Sequence, residues 1–441
     1  MLFNSPEFVA FLIGLLLLLY CCNSNKLVVS RNALLLVSSY GFYAQLHLYY
    51  PLLLVYATLV NAVGGKLIAC NRNEKQRFYL VTATVALSIL PLCLFKYLPV
   101  YVPSLWLPVG LSFFTFQALT YSIDIYRGKL NPMTWLDVAL FVAFFPTLLS
   151  GPIERARNLV PQLQSKLPMS WDNLVLGGQY FLWGLFKKVV IADRLAQYVD
   201  QIYGVPNLHS GSTLALAAVL YSFQIYCDFS GYATMALGVG RMLGIRLTDN
   251  FRYPYFASTI KEFWRRWHIS LTSWFTEYVY ISMGGNRVAV WRWVLNISIV
   301  FLLSGVWHGA TWAFVVWGGI HAVLYLAEHT LRIKSGNLPY AIIVFVGVTL
   351  AWVFFRIPHI GDACKVIGRI FTQPWGMPSM ASSAFSMLIT LGYLFVFLIV
   401  EWAFYRKWRM PVWCRFVGSV FIVLSIGLFT VSKSQFVYFQ F

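Results

Sequence analysis

The sequence predicts an all-α polytopic membrane protein. Three observations carry that expectation. Of 441 residues, 59% are hydrophobic and only 11% charged, against about 25% charged in an ordinary soluble domain. That is too little charge to cover a water-facing surface. The mean hydropathy of +0.68 makes lipid the main solvent. Apolar runs recur with hardly a break, at about 8–22, 32–48, 51–64, 78–95, 105–123, 136–150, 174–192, 212–240, 293–307, 310–328, 340–355, 383–404 and 415–431. So much apolar side chain also excludes a disordered chain.

The first run, Phe8 to Cys22, follows Glu7 and has no basic stretch before it. It reads as a retained membrane helix rather than a cleaved signal. A spanning helix needs about 20 apolar residues, and several runs are shorter. We therefore expect ~11 spans, with further helices re-entrant or interfacial and packed in protein. No long polar insert interrupts the runs, so residues 1–441 are expected to form a single membrane domain.

Lys and Arg number 33 against 15 Asp and Glu, a formal charge of +18. The excess gathers in short loops. One holds Lys66, Arg72, Lys75 and Arg77. A longer belt runs from Arg241 through Arg246, Arg252, Lys261, Arg265 and Arg266 to Arg287 and Arg292, and a third holds Arg406, Lys407 and Arg409. Such loops belong on the cytoplasmic side, against anionic headgroups. Counting back from the first puts the N-terminus outside. No basic domain stands apart from the apolar runs, so nucleic-acid binding is excluded. Lys187 and Lys188 lie inside a run and are expected to snorkel to an interface. The seven cysteines form no CxxC pair, and the histidines have neither ligand spacing nor adjacent carboxylates. This argues against disulfides and against a metal site. Walker, Rossmann, GxSxG and HExxH patterns are absent from the sequence.

From Ile260 to Tyr278 the pattern predicts an amphipathic helix. Ile260, Phe263, Trp264, Trp267, Leu271, Trp274, Phe275 and Tyr278 share one face; Glu262, Arg265, Arg266, Ser273 and Glu277 share the other. Such a helix suits the membrane interface. His268 falls beside Trp264 at the edge of the apolar face. Taken alone, it reads more readily as a headgroup contact than as a site residue.

Ionisable groups at membrane depth are costly, which makes them functional candidates. The foremost is His308, in Ser304-Gly305-Val306-Trp307-His308-Gly309-Ala310-Thr311-Trp312. Glycines flank the Val-Trp-His core and leave room for a ligand. Ser304 and Trp312, at i−4 and i+4, share its face if the segment is helical. Its imidazole can act as a base near neutral pH. The competing reading is a histidine bonded structurally to a neighbouring helix. His321, thirteen residues on, would point elsewhere on one straight helix, unless the helix breaks at Gly309; a structural role is favoured for it. Gln224 and Asp228 stand i,i+4 inside an apolar run. They fit polar helix packing as well as a site, and so does Asp124.

Together these blocks resemble a known family. They are SFFTFQALTYSIDIYRG (112–128), FFPTLLSGPIERA (144–156), FKKVVIAD (186–193), YSFQIYCDFSGYATMALGVGRMLGI (221–245), NFRYPYFASTIKEFWRRWHISLT (250–272), YISMGGNR (280–287), SGVWHGATWAFVVWGG (304–319) and the terminal FVYFQF (436–441). On these the chain resembles the membrane-bound O-acyltransferase (MBOAT) family, closest to its bacterial AlgI-like alginate O-acetyltransferase branch. The resemblance implies a ring of tilted transmembrane helices around a central tunnel, with residues 112–325 as the signature-bearing core. It implies that His308 is catalytic and His268 its conserved-type companion. It implies a multi-pass protein of the cytoplasmic (inner) membrane, with no permanently bound cofactor and with acetyl-CoA or another acyl thioester as donor. An extracytoplasmic acetyltransferase partner protein of a polysaccharide-modification complex is implied as well.

On that reading, His308 acts as general base on an acceptor hydroxyl. His268 or a nearby Trp N–H orients the thioester or stabilises the oxyanion. Ser304, Trp307, Trp312, Trp264, Tyr226, Asp228 and Gln224 are the expected substrate-binding residues, and Arg265 and Arg266 would meet the donor's phosphates. The acceptor is a polysaccharide hydroxyl, alginate-like or other, or a serine of the partner. Two rivals stand beside this: D-alanyl transfer to teichoic acid from a carrier-protein thioester, and a transporter or scaffold without chemistry. An inverted internal repeat would favour a transporter, and none is visible.

Overall fold

The computed structural model describes residues 2–100, 107–333, 336–379, 384–408 and 411–429. Arg409 and the terminal block 436–441 lie outside them. Among the described residues there is no strand. The helices are α1 (Pro6–Cys22), α2 (Val28–Ala44), α3 (Tyr50–Cys70), α4 (Glu74–Tyr97), α5 (Leu111–Tyr126), α6 (Trp135–Ala143), α7 (Phe145–Leu148), α8 (Ala156–Leu163), α9 (Trp171–Phe186), α10 (Asp193–Gly204), α11 (Gly211–Met242), α12 (Ile260–Arg266), α13 (Ile269–Phe275), α14 (Val290–His308), α15 (Trp312–Thr330), α16 (Leu338–Arg356), α17 (Ile360–Thr372), α18 (Ala384–Tyr405) and α19 (Val412–Phe429).

Seven of the described helices are long and apolar enough to cross a membrane, fewer than the ~11 expected. The difference comes from elements such as α5, which is 16 residues long and has nearly every side chain buried in protein. At about 1.5 Å per residue such a helix falls short of a ~30 Å hydrocarbon layer. α11 is the opposite case: 32 residues, with 78% of its apolar window buried inside the protein.

The residues group into two compact units, Met1–Phe181 with Tyr232–Asp249, and Leu182–Gly231 with Asn250–Phe441. In the first, α3 packs on α4, α5 and α6, and α2 on α6. Asp124 on α5 is fully buried and accepts from Arg157 Nη1 at 2.9 Å, so its local partner is structural.

The second unit holds both candidate histidines. α14 and α15 form a tight helical hairpin. A Cβ at Gly305 would collide with the Phe314 carbonyl, and one at Gly318 with the Phe301 carbonyl. Only glycine lets the two backbones come this close. In the same unit Lys188 is wholly buried, with its Nζ 2.7 Å from Asp193 and 2.6 Å from Asp228. Lys187 is buried too and donates to the Ser230 carbonyl and hydroxyl at 3.2 and 3.1 Å. The snorkelling expectation is corrected for both. A π-helical stretch, Lys187–Ala192, extends α9 and turns these ammonium groups onto partners inside the protein. Paired donors and acceptors offset part of the desolvation that lipid would otherwise impose.

Candidate active site

The stretch expected to be one interfacial helix is two short ones. α12 starts on an N-cap: Thr259 Oγ1 accepts from Glu262 N at 3.0 Å, and the Glu262 carboxylate reaches back to accept from Ser258 N at 2.7 Å. Two further N-terminal amides, Ile260 N and Lys261 N, donate to the Glu328 carboxylate at 2.6 and 3.1 Å. This fixes α12 to α15. The helix stops at Arg266. Trp267 is extended, and His268 takes the left-handed conformation with φ 43° and ψ 53°. A residue other than glycine is held there only when its surroundings over-determine it. The apolar face is also reassigned. All eight of its residues, Ile260 to Tyr278, are buried inside the protein rather than turned to lipid.

Asn250 holds the corner. Its carbonyl accepts from Ile269 N at 2.9 Å, and Arg252 N donates to the Arg266 carbonyl at 3.0 Å. Its side-chain Oδ1 lies 3.1 Å from Ser270 N, 2.9 Å from Ser270 Oγ and 3.1 Å from His268 Nδ1. A backbone N–H can only donate, so the Asn250 atom facing Ser270 N is oxygen. His268 Nδ1 must then carry a hydrogen and donate to it. Burial pushes the imidazole down to about 3, with a backbone hydrogen bond opposing. A neutral ring with its proton on Nδ1 presents a lone pair at Nε2. His268 is therefore an acceptor, and it cannot supply the oxyanion donor that the sequence reading allowed it.

His308 ends α14 and is 4% exposed. Its ring stands edge-on to Trp307 at 4.8 Å, Trp317 at 5.1 Å and Phe355 at 5.1 Å. The Trp307 indole also meets the His268 ring at 6.0 Å. The two histidines thus share one tryptophan. Phe229 packs edge-on against His268 at 4.6 Å. The helix does break after His308, so His321 lies on α15, where it shares Trp317 with His308. It is fully buried, with no hydrogen-bond partner for either ring nitrogen among the described residues.

The remaining expected residues separate. Ser304 and Trp307 are buried on α14. Trp264 is buried against His321 at 4.9 Å. Trp312 is 75% exposed, because the chain turns at Gly309 before it; its placement beside His308 is corrected. Tyr226 donates to Glu401 at 2.6 Å, and Asp228 is held by Lys188. Gln224 is buried with no partner for Oε1 among the described residues. Arg265 is exposed, and Arg266 is half-buried in an ion pair with Glu262. Asn250, Trp317 and Phe355 were not foreseen. A single asparagine in a loop carries no periodic signal, and the two aromatics read as ordinary packing residues.

Over residues 1–332 the chain matches the model of the membrane-bound O-acyltransferase family, MBOAT. It is 34% identical to the probable alginate O-acetylase AlgI of Pseudomonas putida, over 100% of each chain. It is 33% identical to the peptidoglycan O-acetyltransferase of Helicobacter pylori, over 100% of this chain and 98% of that one. To the teichoic acid D-alanyltransferase of Bacillus subtilis it is 32% identical, over 49% of this chain and 57% of that one.

Proposed function

Because the chain belongs to the membrane-bound O-acyltransferase family, and so is a multi-pass O-acyltransferase, we propose that it transfers an acetyl group from a cytoplasmic acyl thioester to a hydroxyl outside the inner membrane. The ultimate acceptor is an envelope polysaccharide, reached directly or through a serine of an extracytoplasmic partner protein. Full-length similarity to an alginate O-acetylase and to a peptidoglycan O-acetyltransferase supports this branch over D-alanyl transfer, whose relative covers half of the chain.

The observation that carries the mechanism is the shared indole: Trp307 touches both His308 and His268. His308 takes the proton of the acceptor hydroxyl as its oxygen attacks the thioester carbonyl. The C–O bond forms, the C–S bond breaks, and the departing thiolate takes the proton from the imidazolium. His268, neutral and oriented by Asn250, accepts a hydrogen bond through Nε2 and positions a substrate N–H or O–H. The Trp307 indole N–H is the donor suited to the developing oxyanion. Arg265, exposed in the basic belt, suits the anionic phosphates of a CoA donor.

The test is acetyl transfer by the purified protein in proteoliposomes given acetyl-CoA and an acceptor polymer, with free thiol released as the readout. Loss of the base in His308→Ala should lower the rate by about 10²–10⁴-fold, while the variant still inserts. Undiminished transfer would overturn the assignment. Activity only with a D-alanyl carrier thioester would replace the acetyl reading.

A further inference from the structure

The second unit contains a cavity of about 110 Å³ that the proposed reaction does not use. Phe223, Tyr226, Tyr255, Phe345, Phe397 and Glu401 form most of its wall. The rings meet at steep angles: Tyr226 to Tyr255 at 80° and 5.5 Å, Tyr255 to Phe345 at 81° and 5.5 Å, Phe223 to Tyr255 at 70° and 5.5 Å. The wall is therefore an aromatic box rather than a flat stack.

Two of its three tyrosine hydroxyls donate to acceptors within the protein. Tyr226 Oη donates to Glu401 Oε2 at 2.6 Å, and Tyr255 Oη donates to the Ser222 carbonyl at 2.6 Å. No lining side chain carries an N–H. What the box offers is π-electron density and a carboxylate. An anion finds neither an N–H nor a cationic side chain in this wall. An organic ammonium finds both a counter-charge and ring walls. Lys187, whose Nζ donates to Ser230, also shares the Glu401 carboxyl through space.

The rim adds the opposite charge. Tyr253, also lining the cavity, is held at φ 52°, one of the few non-glycine residues in left-handed backbone. Phe256, on the wall, stacks on Tyr405 at 5.2 Å, and the Arg266 guanidinium lies over that same Tyr405 ring at 5.2 Å. Arg252 beside it is exposed. Guanidinium groups at the rim, Arg266 shared with Glu262 and Arg252 exposed beside it, next to an aromatic box that carries a carboxyl, match a molecule with a phosphate close to an ammonium.

We propose that this cavity binds the ammonium of a zwitterionic phosphoammonium headgroup, with the phosphate at the Arg266 rim. The ligand is a membrane phospholipid of the ethanolamine or choline class, or a soluble compound with the same headgroup. The test is native mass spectrometry of the full-length protein released from nanodiscs of equal phosphatidylethanolamine and phosphatidylglycerol. The wild type should retain the ethanolamine lipid preferentially. Glu401→Gln keeps the acceptor for Tyr226 but removes the charge, and should reduce that preference about tenfold. Phe345→Leu, which only thins one wall, is the second variant should the first not fold, and should also weaken retention. Phosphocholine added to the protein and retained in the mass spectrum, with no lipid retained, would support the box with a soluble ligand. Equal retention of both lipids together with no retained phosphocholine, or unchanged preference in the variants, would overturn the proposal.

Discussion

Asn250→Ala is the perturbation that tests the site's construction most directly. The asparagine is 1% exposed, and one oxygen serves three donors: Ser270 N–H, Ser270 Oγ and His268 Nδ1–H. The serine hydroxyl can rotate to another acceptor. The backbone amide and the ring N–H cannot. Each buried donor left without a partner costs about 1–3 kcal/mol, so the variant should lose about 2–6 kcal/mol. In a protein of this size that lowers the unfolding midpoint by roughly 2–6 °C. The functional cost has a separate origin. Without the Asn250 side chain the hydrogen bond that selects the Nδ1–H tautomer is lost, and the His268 ring is no longer tied to the corner. Transfer activity should fall at least tenfold even at temperatures where the variant is folded. Asn250→Asp supplies the control, because a carboxylate still accepts all three bonds and should preserve the fold. Scanning fluorimetry in detergent gives the midpoint, and thiol release from acetyl-CoA gives the rate. If Asn250→Ala melts with the wild type and turns over at full rate, the corner does not position His268.

Three further outcomes follow from the same geometry. Burial holds His268 down to about 3, so between pH ~6.5 and 3 the unfolded chain binds a proton that the folded protein refuses. Stability is whole above pH ~6.5 and falls by up to about 1.4 kcal/mol per unit as the pH drops; acid titration of His268→Gln should show a shallower slope, and an identical slope would refute the buried neutral state. Gly305→Ala should cost about 1–3 kcal/mol by overpacking the α14–α15 hairpin, and should reduce transfer sharply because His308 lies one turn on; an unchanged midpoint and rate would contradict the close approach. Lys188→Met removes the ammonium between the buried Asp193 and Asp228 and should destabilise by about 3–5 kcal/mol. Adding Asp193→Asn and Asp228→Asn should recover much of that loss, as measured by chemical unfolding in mild detergent.

The sequence by itself determined the solvent and the class: apolar runs at membrane length can only be helices, because lipid satisfies no backbone groups. It also determined where chemistry was worth seeking, since a histidine between glycines at membrane depth is costly unless used. Family resemblance rested on contiguous blocks and needed no coordinates. Tertiary structure decided the rest. A helical wheel assigned the Trp-rich face of 260–278 to lipid, because periodicity reports which residues avoid water and not what they avoid it with; α15 and its neighbours cover that face instead. The wheel also carried the helix through His268, because a left-handed residue leaves no mark in periodicity when its support comes from Asn250, eighteen residues earlier. Trp312 was placed beside His308 by helical spacing, and the turn at Gly309 sends it outward. Lys188 looked like a snorkelling residue until its two aspartates were seen around it. Local pattern fixes which elements form and how apolar they are. Which buried groups meet is set by contacts distant in sequence, and these brought Trp307 between two histidines forty residues apart.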